Sequence, residues 1–237
     1  MKTLARILMK YNRPTVAKAA FAAFALASLA TAGCNILGPA YYMVAGPEEK
    51  KAVYTLEPTR PTVVFVDDRD NRLPRRTLRF VVAEAATKAM LDNEVLTKTP
   101  AGEVAAIDGR AAITAAARDR FGEPLSVAAI GNACSADVVV HVVFEAFTLT
   151  ADGTTFSPSA RLRVKVIDAV NQRRLFPPGE NVVGVPMDVV LKQRPSDLPN
   201  SNSGMLQAQE TLAKECGRAV AELFFDHVYV STDRARN

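Results

Sequence analysis

Residues 138–147 read VVVHVVFEAF, and this run of β-branched and aromatic residues decides the fold. Residues of these types favour strands, and a short apolar run of this length is typical of a buried strand. Side chains alternate between the two faces of a strand. One face carries Val138, Val140, Val142 and Phe144, and the other carries Val139, His141, Val143 and Glu145. We therefore predict a central strand with one wholly apolar face and one mixed face.

A second strand is predicted after a polar loop, at residues 160–168 (ARLRVKVID). Strict alternation of apolar and charged residues is typical of an antiparallel strand with one face on a core and one toward solvent. We expect the apolar set to face helices; it consists of Leu162, Val164 and Val166. We expect the basic set to face away from them; it consists of Arg161, Arg163 and Lys165. Glu145, on the neighbouring strand, is expected to offset part of the basic charge.

The remaining patterns complete an α+β chain. Strands are predicted at 62–66, 94–99 and 182–191, and helices at 77–91, 108–121, 124–135 and 205–228. Pro186 favours an edge position for the last strand, and Asp108 is placed to cap the second helix. The order β-α-β-α-α-β-β-β-α predicts a two-layer sandwich, a mixed sheet with helices packed on one face. Leu212, Val220 and Phe224 of the last helix are expected to be buried against the sheet.

The N-terminal region has the layout of an export signal. Residues 1–18 contain five basic residues and no acid, residues 19–33 are apolar or small, and the stretch LATAGC ends at Cys34. The layout resembles the lipobox of bacterial lipoproteins, with Thr31 where leucine is commoner, and predicts lipidation of Cys34. An ordinary cleaved signal and an uncleaved anchor are the alternatives. In bacterial lipoproteins, aspartate directly after the lipidated cysteine retains the protein in the inner membrane. This chain has Asn35 at that position, which favours the outer membrane.

These features predict four segments along the chain. They are a signal peptide at 1–33, a lipidated cysteine and flexible tether at 34–60, a periplasmic α+β domain at 61–230 and a polar tail at 231–237. Glycine and proline recur through the predicted tether, and no apolar period develops there.

The charge of the chain argues against a nucleic-acid partner, and its cysteine content leaves one disulfide bond undecided. The chain has 29 basic and 25 acidic residues, but residues 1–33 carry five of the basic ones, so 24 and 25 remain beyond them. A net charge of −1 does not favour nucleic-acid binding. Cys134 and Cys216 are predicted either to form a disulfide or to remain small buried thiols.

No catalytic or cofactor-binding constellation emerges from the residues, so we expect a protein that is not an enzyme. There are two histidines, no Gly-x-Ser-x-Gly and no zinc-ligand spacing. Cofactors, metals and small-molecule substrates are therefore not predicted. The residues Asp67, Asp68 and Asp70 are interpreted as a solvated loop rather than a calcium site, and His141 with Glu145 as a polar pair on the sheet. The row Arg161, Arg163 and Lys165 is the candidate partner-binding face, with a solvated sheet face as the alternative.

Two stretches resemble a known periplasmic domain. An Ala-rich helix leads through Ser135-Ala136-Asp137 into the central strand, and residues 163–169 read RVKVIDA. Both resemble signatures of the domain found in the curli-secretion lipoprotein CsgG, the N-terminal part of TolB and the penicillin-binding-protein activator LpoB. The resemblance covers about residues 60–230, with Ser135 where glycine is usual. It implies a binding or assembly module of the cell envelope.

The resulting hypothesis is a lipid-anchored, non-catalytic binding or assembly module on the periplasmic face of the outer membrane, with the inner membrane possible. The membrane, through the anchor, and an envelope protein are its expected partners. An accessory lipoprotein of an ABC-type transport or secretion system is the alternative. A secretion pore is disfavoured, because membrane hairpins need an apolar lipid face and Arg161, Arg163 and Lys165 occupy the available one.

Overall fold

The computed structural model of the chain describes residues 49–118, 123–150, 155–179, 183–191, 199 and 201–228. The predicted signal peptide, Cys34, the first part of the predicted tether and the tail at 231–237 lie outside the described residues. Within those ranges, no helix combines the length and the apolar character needed to cross a membrane.

The described chain forms four helices and eight strands. The strands are β1 (Glu49–Lys50), β2 (Thr62–Asp67), β3 (Ala106–Ile107), β4 (Val138–Thr150), β5 (Phe156–Asp168), β6 (Arg173–Phe176), β7 (Val185–Val190) and β8 (His227–Val228). The helices are α1 (Leu78–Asp92), α2 (Gly109–Ala116), α3 (Val127–Ala133) and α4 (Asn202–Ala221). The predicted cap is confirmed, because the Asp108 side chain accepts a hydrogen bond from the backbone N–H of Arg110 at 2.9 Å.

One mixed sheet organises the domain. Its strands lie in the order β3-β2-β4-β5-β6, with β7 also paired to β5. β2 runs parallel to both β3 and β4, whereas β4 and β5 are antiparallel, as are β5 and its partners β6 and β7. The predicted α+β class and mixed sheet are confirmed, and β6 is a strand that the sequence did not indicate.

The strand predicted at 94–99 is wrong, and β3 at Ala106–Ile107 takes its place beside β2. The 94–99 stretch instead folds back on the chain that follows it. The N–H of Thr99 donates to the carbonyl of Glu103, and the N–H of Ala105 donates to the carbonyl of Thr97. These local bonds occupy backbone groups that a sheet strand would direct to a neighbour.

The main core lies between the sheet and the two long helices, α1 and α4. The apolar faces of β4 and β5 are buried there, together with the side of α4 that was predicted to face the sheet and Phe224, which the sequence placed on the last helix but which follows the end of α4: Val140, Val142, Phe144, Leu162, Val164, Val166, Leu212, Val220 and Phe224. The alternation predicted for β5 is thereby confirmed, because its basic residues must lie on the opposite face.

The two short helices, α2 and α3, form a further layer that the predicted sandwich did not include. They pack on the opposite face of the sheet, where a second cluster contains Val63, Phe65 and Val139. β2 and the first half of β4 carry apolar residues on both faces, as parallel strands usually do, so both faces need cover. The α+β sandwich is as predicted, but its helices are not confined to one face.

The domain also begins earlier than residue 61. The N–H groups of Val53 and Tyr54 donate to the carbonyl of Leu223, just beyond α4, at 2.8 and 3.0 Å. Leu56 is buried, and the rings of Tyr54 and Phe176 lie 5.2 Å apart. Residues 53–56 therefore pack on the domain, which corrects the prediction of a tether through residue 60. Two packed apolar side chains, Tyr54 and Leu56, are too few to give a periodic signal in the sequence.

The long helices approach each other closely at Gly217. A Cβ atom at this position would lie 2.4 Å from the carbonyl oxygen of Val82 and 2.8 Å from the Cβ of Ala85. Since real Cβ atoms do not come this near to backbone oxygen, the spacing between α1 and α4 depends on the missing side chain.

Replacing Gly217 tests this spacing. In an open helix interior, Gly→Ala stabilises by about 1 kcal/mol. Here Gly217→Ala is expected to destabilise by about 1–3 kcal/mol, because α4 must move away from Val82. Urea unfolding measures the change, with the exposed Lys214→Ala on the same helix as control. A stabilised Gly217→Ala variant would contradict the close approach of the two helices.

Candidate functional site

The candidate site is the polar part of the sheet face opposite α1 and α4. The strand register brings Phe65, His141 and Lys165 into one row across β2, β4 and β5, and Asp67, Val143 and Arg163 into another. Neighbouring strands lie about 4.8 Å apart, so side chains in one row on one face can touch. Polar groups from three strands therefore meet on this surface.

His141 forms a buried pair with Asp67. Its side chain is 6% exposed, its Nε2 lies 3.2 Å from Asp67 Oδ2, and its ring stacks on Phe65 at 5.6 Å between centroids. The structure does not pair His141 with Glu145, contrary to the interpretation from sequence. Glu145 sits at a β-bulge between Phe144 and Ala146 and contacts Arg163 instead.

The environment of the pair keeps His141 neutral and Asp67 charged. Burial lowers the pKa of His141, and the hydrogen bond with Asp67 opposes this only in part, so the pKa stays below 6.5. Burial alone would raise the pKa of Asp67, but the hydrogen bond from His141 and the charge of Arg69 bring it below 3.8. A neutral histidine beside a carboxylate donates through Nε2, which leaves Nδ1 as the acceptor. This buried Nδ1 has no hydrogen-bond partner among the described residues.

The predicted basic row is largely paired within the sheet. Arg163 contacts Glu145, which confirms the expected cross-strand offset. Arg161 Nε donates to Asp188 Oδ1 of β7 at 2.8 Å, and both side chains are about 60% exposed. Burial and the nearby charge of Arg174 lower the pKa of Lys165. The surface thus alternates charges of both signs and is not a band of uncompensated positive charge.

The acidic loop after β2 does not gather its carboxylates around one point. Asp68 is buried and accepts from the N–H groups of Arg72 and Leu73, at 2.6 and 3.3 Å, while Asp67 faces His141 and Arg69. In the described part of the chain, no group of three or more metal-ligating side chains converges.

Asp168, in the RVKVIDA stretch, has a structural role. It is 1% exposed and accepts from both the N–H and the side-chain amide of Asn171, which closes the turn between β5 and β6. Burial raises the pKa of its carboxyl, but the bonds from Asn171 and the Arg60 guanidinium at 3.4 Å outweigh burial and lower it to about 2. This residue of the resemblance therefore stabilises a turn.

The two cysteines in the domain are free thiols. Cys134, at the end of α3, donates its S–H to the carbonyl of Ile130 at 3.2 Å, and Cys216 of α4 lies in the main core. Burial raises the pKa of Cys216 to about 12, so this thiol stays protonated and unreactive. Of the two possibilities that the sequence left open, the structure has the unpaired thiols.

Sequence reasoning missed two members of this surface, Asp67 as the partner of His141 and Asp188 as the partner of Arg161. Each pair joins residues on different strands, and its distance depends on register. An acid directly after a predicted strand that could pair with the histidine-bearing strand is the signal that would have suggested the first pair.

Comparisons with known proteins find similarity to solved structures only at low identity. No protein-family profile matches the sequence, and no curated protein matches it. The PelC dodecamer subunit of Paraburkholderia phytofirmans is 11% identical with a TM-score of 0.38, over 74% of this chain and 94% of that one. Hypothetical protein CT253 of Chlamydia trachomatis is 17% identical with a TM-score of 0.40, over 69% and 98%. Lipoprotein GNA1162 of Neisseria meningitidis is 8% identical with a TM-score of 0.35, over 62% and 90%.

The buried histidine makes stability depend on pH. Because the pKa of His141 is lowered in the folded state, the unfolded chain takes up the proton first, and stability falls as the pH drops below 6.5. At pH 5.5 the loss reaches up to about 1.4 kcal/mol. Urea unfolding of the wild type and His141→Gln from pH 7.5 to 5.5 should show a smaller slope for the variant. His227→Gln controls for loss of a histidine elsewhere, and equal slopes for wild type and His141→Gln would contradict a buried neutral His141.

Proposed function

We propose that this protein is a lipid-anchored, non-catalytic binding or assembly module of the bacterial cell envelope. The anchor is Cys34, and the domain acts in the periplasm at the outer membrane. One observation carries the proposal: a basic segment, an apolar segment and small residues lead directly into Cys34. The support is therefore in the sequence of the N-terminal region, and the neighbouring structures carry no part of it.

The physical chemistry of the anchor favours a permanent attachment. A single acyl chain holds a protein to a membrane only marginally, whereas two or three chains hold it stably, at about 0.8 kcal/mol per buried CH₂ group. A cysteine that carries a diacylglyceryl group and an acylated amine has three chains. The domain would then work beside the membrane surface throughout its lifetime.

The arrangement of charges on the sheet supports a role in protein binding. Paired groups that stay exposed can exchange their partners for groups on another protein, and complementary charge adds specificity. The Arg161–Asp188 pair is exposed and joins β5 to the neighbouring strand β7. Arg163 and Lys165 continue the surface toward the centre of the sheet. We propose these three basic residues as the partner-binding face.

Cys34→Ser tests the anchor. The variant lacks the acceptor thiol, so it is expected to move from the membrane fraction to the soluble one and to lose incorporation of a palmitate analogue. Cys134→Ser, which alters a cysteine in the domain, is the matched control and should stay in the membrane fraction. Density separation of inner and outer membranes then locates the wild type. Equal membrane association of wild type and Cys34→Ser would overturn the proposal of a lipid anchor.

Charge reversal tests the partner-binding face. Arg161→Glu is expected to reduce recovery of the envelope protein that crosslinks to the wild type in intact cells, at least about fivefold, because a charge complementary to the partner is inverted. The melting temperature should change little, since exposed ion pairs contribute about 0–1 kcal/mol.

Arg218→Glu is the matched control for this experiment. Arg218 is also an exposed arginine with acid neighbours, Glu215 and Glu222, but it lies on α4, away from the proposed face. Equal recovery with both variants would remove Arg161 from the binding face, while selective loss with Arg161→Glu would support it.

A further inference from the structure

A crevice opens where β2 ends, on the side covered by α2. It has a volume of about 270 Å³. The apolar part of its lining, here called the floor, consists of Phe65, Ile113 and the two alanines at the C-terminal end of α2. The charged part of its lining, here called the rim, consists of Arg69, Arg76, Arg79, Asp67 and Asp68. The crevice lies outside the partner-binding face on β5, and nothing in the proposed function uses it.

The topology makes this a favourable place for a ligand. β2 and β3 are adjacent and parallel. The chain leaves β2 toward α1 on one face and leaves β3 toward α2 on the other face. In open sheets with parallel strands, ligands bind in the crevice outside the carboxyl ends of strands at such a change of direction.

The acids of the rim are already engaged. Asp67 contacts His141 and Arg69, and Asp68 accepts from the backbone N–H groups of Arg72 and Leu73. Arg69 is held as well, because its guanidinium also donates to the carbonyl of Leu125 at 3.1 Å. The charge on this side of the crevice is therefore compensated within the protein.

Arg76 and Arg79 differ from Arg69, because neither forms an ion pair with any acid of the described residues. Arg79 Nε donates to the carbonyl of Arg76 at 3.4 Å, which folds its side chain back over the neighbouring arginine. Arg76 lies just before α1 and Arg79 lies in its first turn, which contains no acid. Cations at a helix N-terminus oppose the helix dipole, and like charges three residues apart repel. Natural proteins keep residues that are unfavourable for folding mainly at functional sites. The position of these two arginines therefore points to a function.

We propose that Arg76 and Arg79 bind the phosphate of a small phosphomonoester whose organic part lies on the apolar floor. Two guanidinium forks match the charge and the several oxygens of a phosphomonoester dianion. The volume is just below the range of about 300–1,000 Å³ for drug-sized ligands, so the organic part is small. The apolar floor favours a ligand with an organic part over inorganic phosphate. The phosphomonoester is either a soluble metabolite or the headgroup of an acidic lipid.

Calorimetric titration of the full-length Cys34→Ser chain tests the proposal, with phenyl phosphate and inorganic phosphate as probes. Phenyl phosphate is expected to bind more tightly than inorganic phosphate, and Arg76→Gln with Arg79→Gln to weaken it by about 100-fold. Arg72→Gln, an exposed arginine of the same loop outside the crevice, is the control and should bind as the parent does. The double variant should melt at the same or a higher temperature, because two unfavourable charges are removed.

A change in the floor provides a second readout. Ala116, on α2, is partly exposed, so Ala116→Leu is expected to fold and to fill the space for the phenyl ring. It should weaken phenyl phosphate but leave inorganic phosphate unchanged. Equal binding of phenyl phosphate by the arginine double variant and by Arg72→Gln would overturn the proposal.

Vesicles separate the two sources of the phosphomonoester. Sedimentation with phosphatidic acid vesicles, compared with phosphatidylcholine vesicles, detects a lipid headgroup. Binding to phosphatidic acid that is lost in the arginine double variant assigns the crevice to a lipid. Arginine-dependent binding of phenyl phosphate without vesicle binding assigns it to a soluble ligand.

Discussion

The pairing of β4 with β2 on one side and with β5 on the other determines which side chains of this domain meet. The β2 pairing is parallel and places Asp67 beside Val143. The β5 pairing is antiparallel and places Lys165 beside His141 and Arg163 beside Val143. A shift of one residue would turn every one of these side chains to the other face. The dense apolar face of β4 prevents such a shift, because Val140, Val142 and Phe144 must stay against α1 and α4.

Charge on this domain is mostly compensated where it occurs. Glu145 and Asp188 face two of the three basic residues of β5, and Asp67 faces both His141 and Arg69. These pairs differ in exposure, and the difference matters for function. The buried His141 pair contributes to specificity of packing and to pH dependence, whereas the exposed Arg161 pair can exchange partners at little cost in stability.

The crevice after β2 departs from this local compensation. Arg76 and Arg79 lack acid partners among the described residues and lie at the end of α1 where cations are least favourable. The surrounding loop is otherwise well ordered by hydrogen bonds, since the buried carboxylate of Asp68 holds the backbone of Arg72 and Leu73. These two guanidinium groups line the same crevice as the apolar side chains of Phe65 and Ile113, an arrangement suited to the proposed recognition of an anion.

The sequence alone determined the strands β2, β4 and β5, the two faces of β5, the buried side of α4 and the cap at Asp108. Each of these follows from periodicity or from side chain-to-backbone bonds within a few residues. It also carries the whole argument for the anchor at Cys34, outside the described residues. Only the tertiary structure decided that α2 and α3 cover the second face, that residues 53–56 pack on the end of α4, and that His141 meets Asp67. It also brought Arg76 and Arg79 to the same crevice as Phe65 and the end of α2. These contacts join segments far apart in the chain, and their distances depend on strand register and helix placement, which local periodicity does not encode.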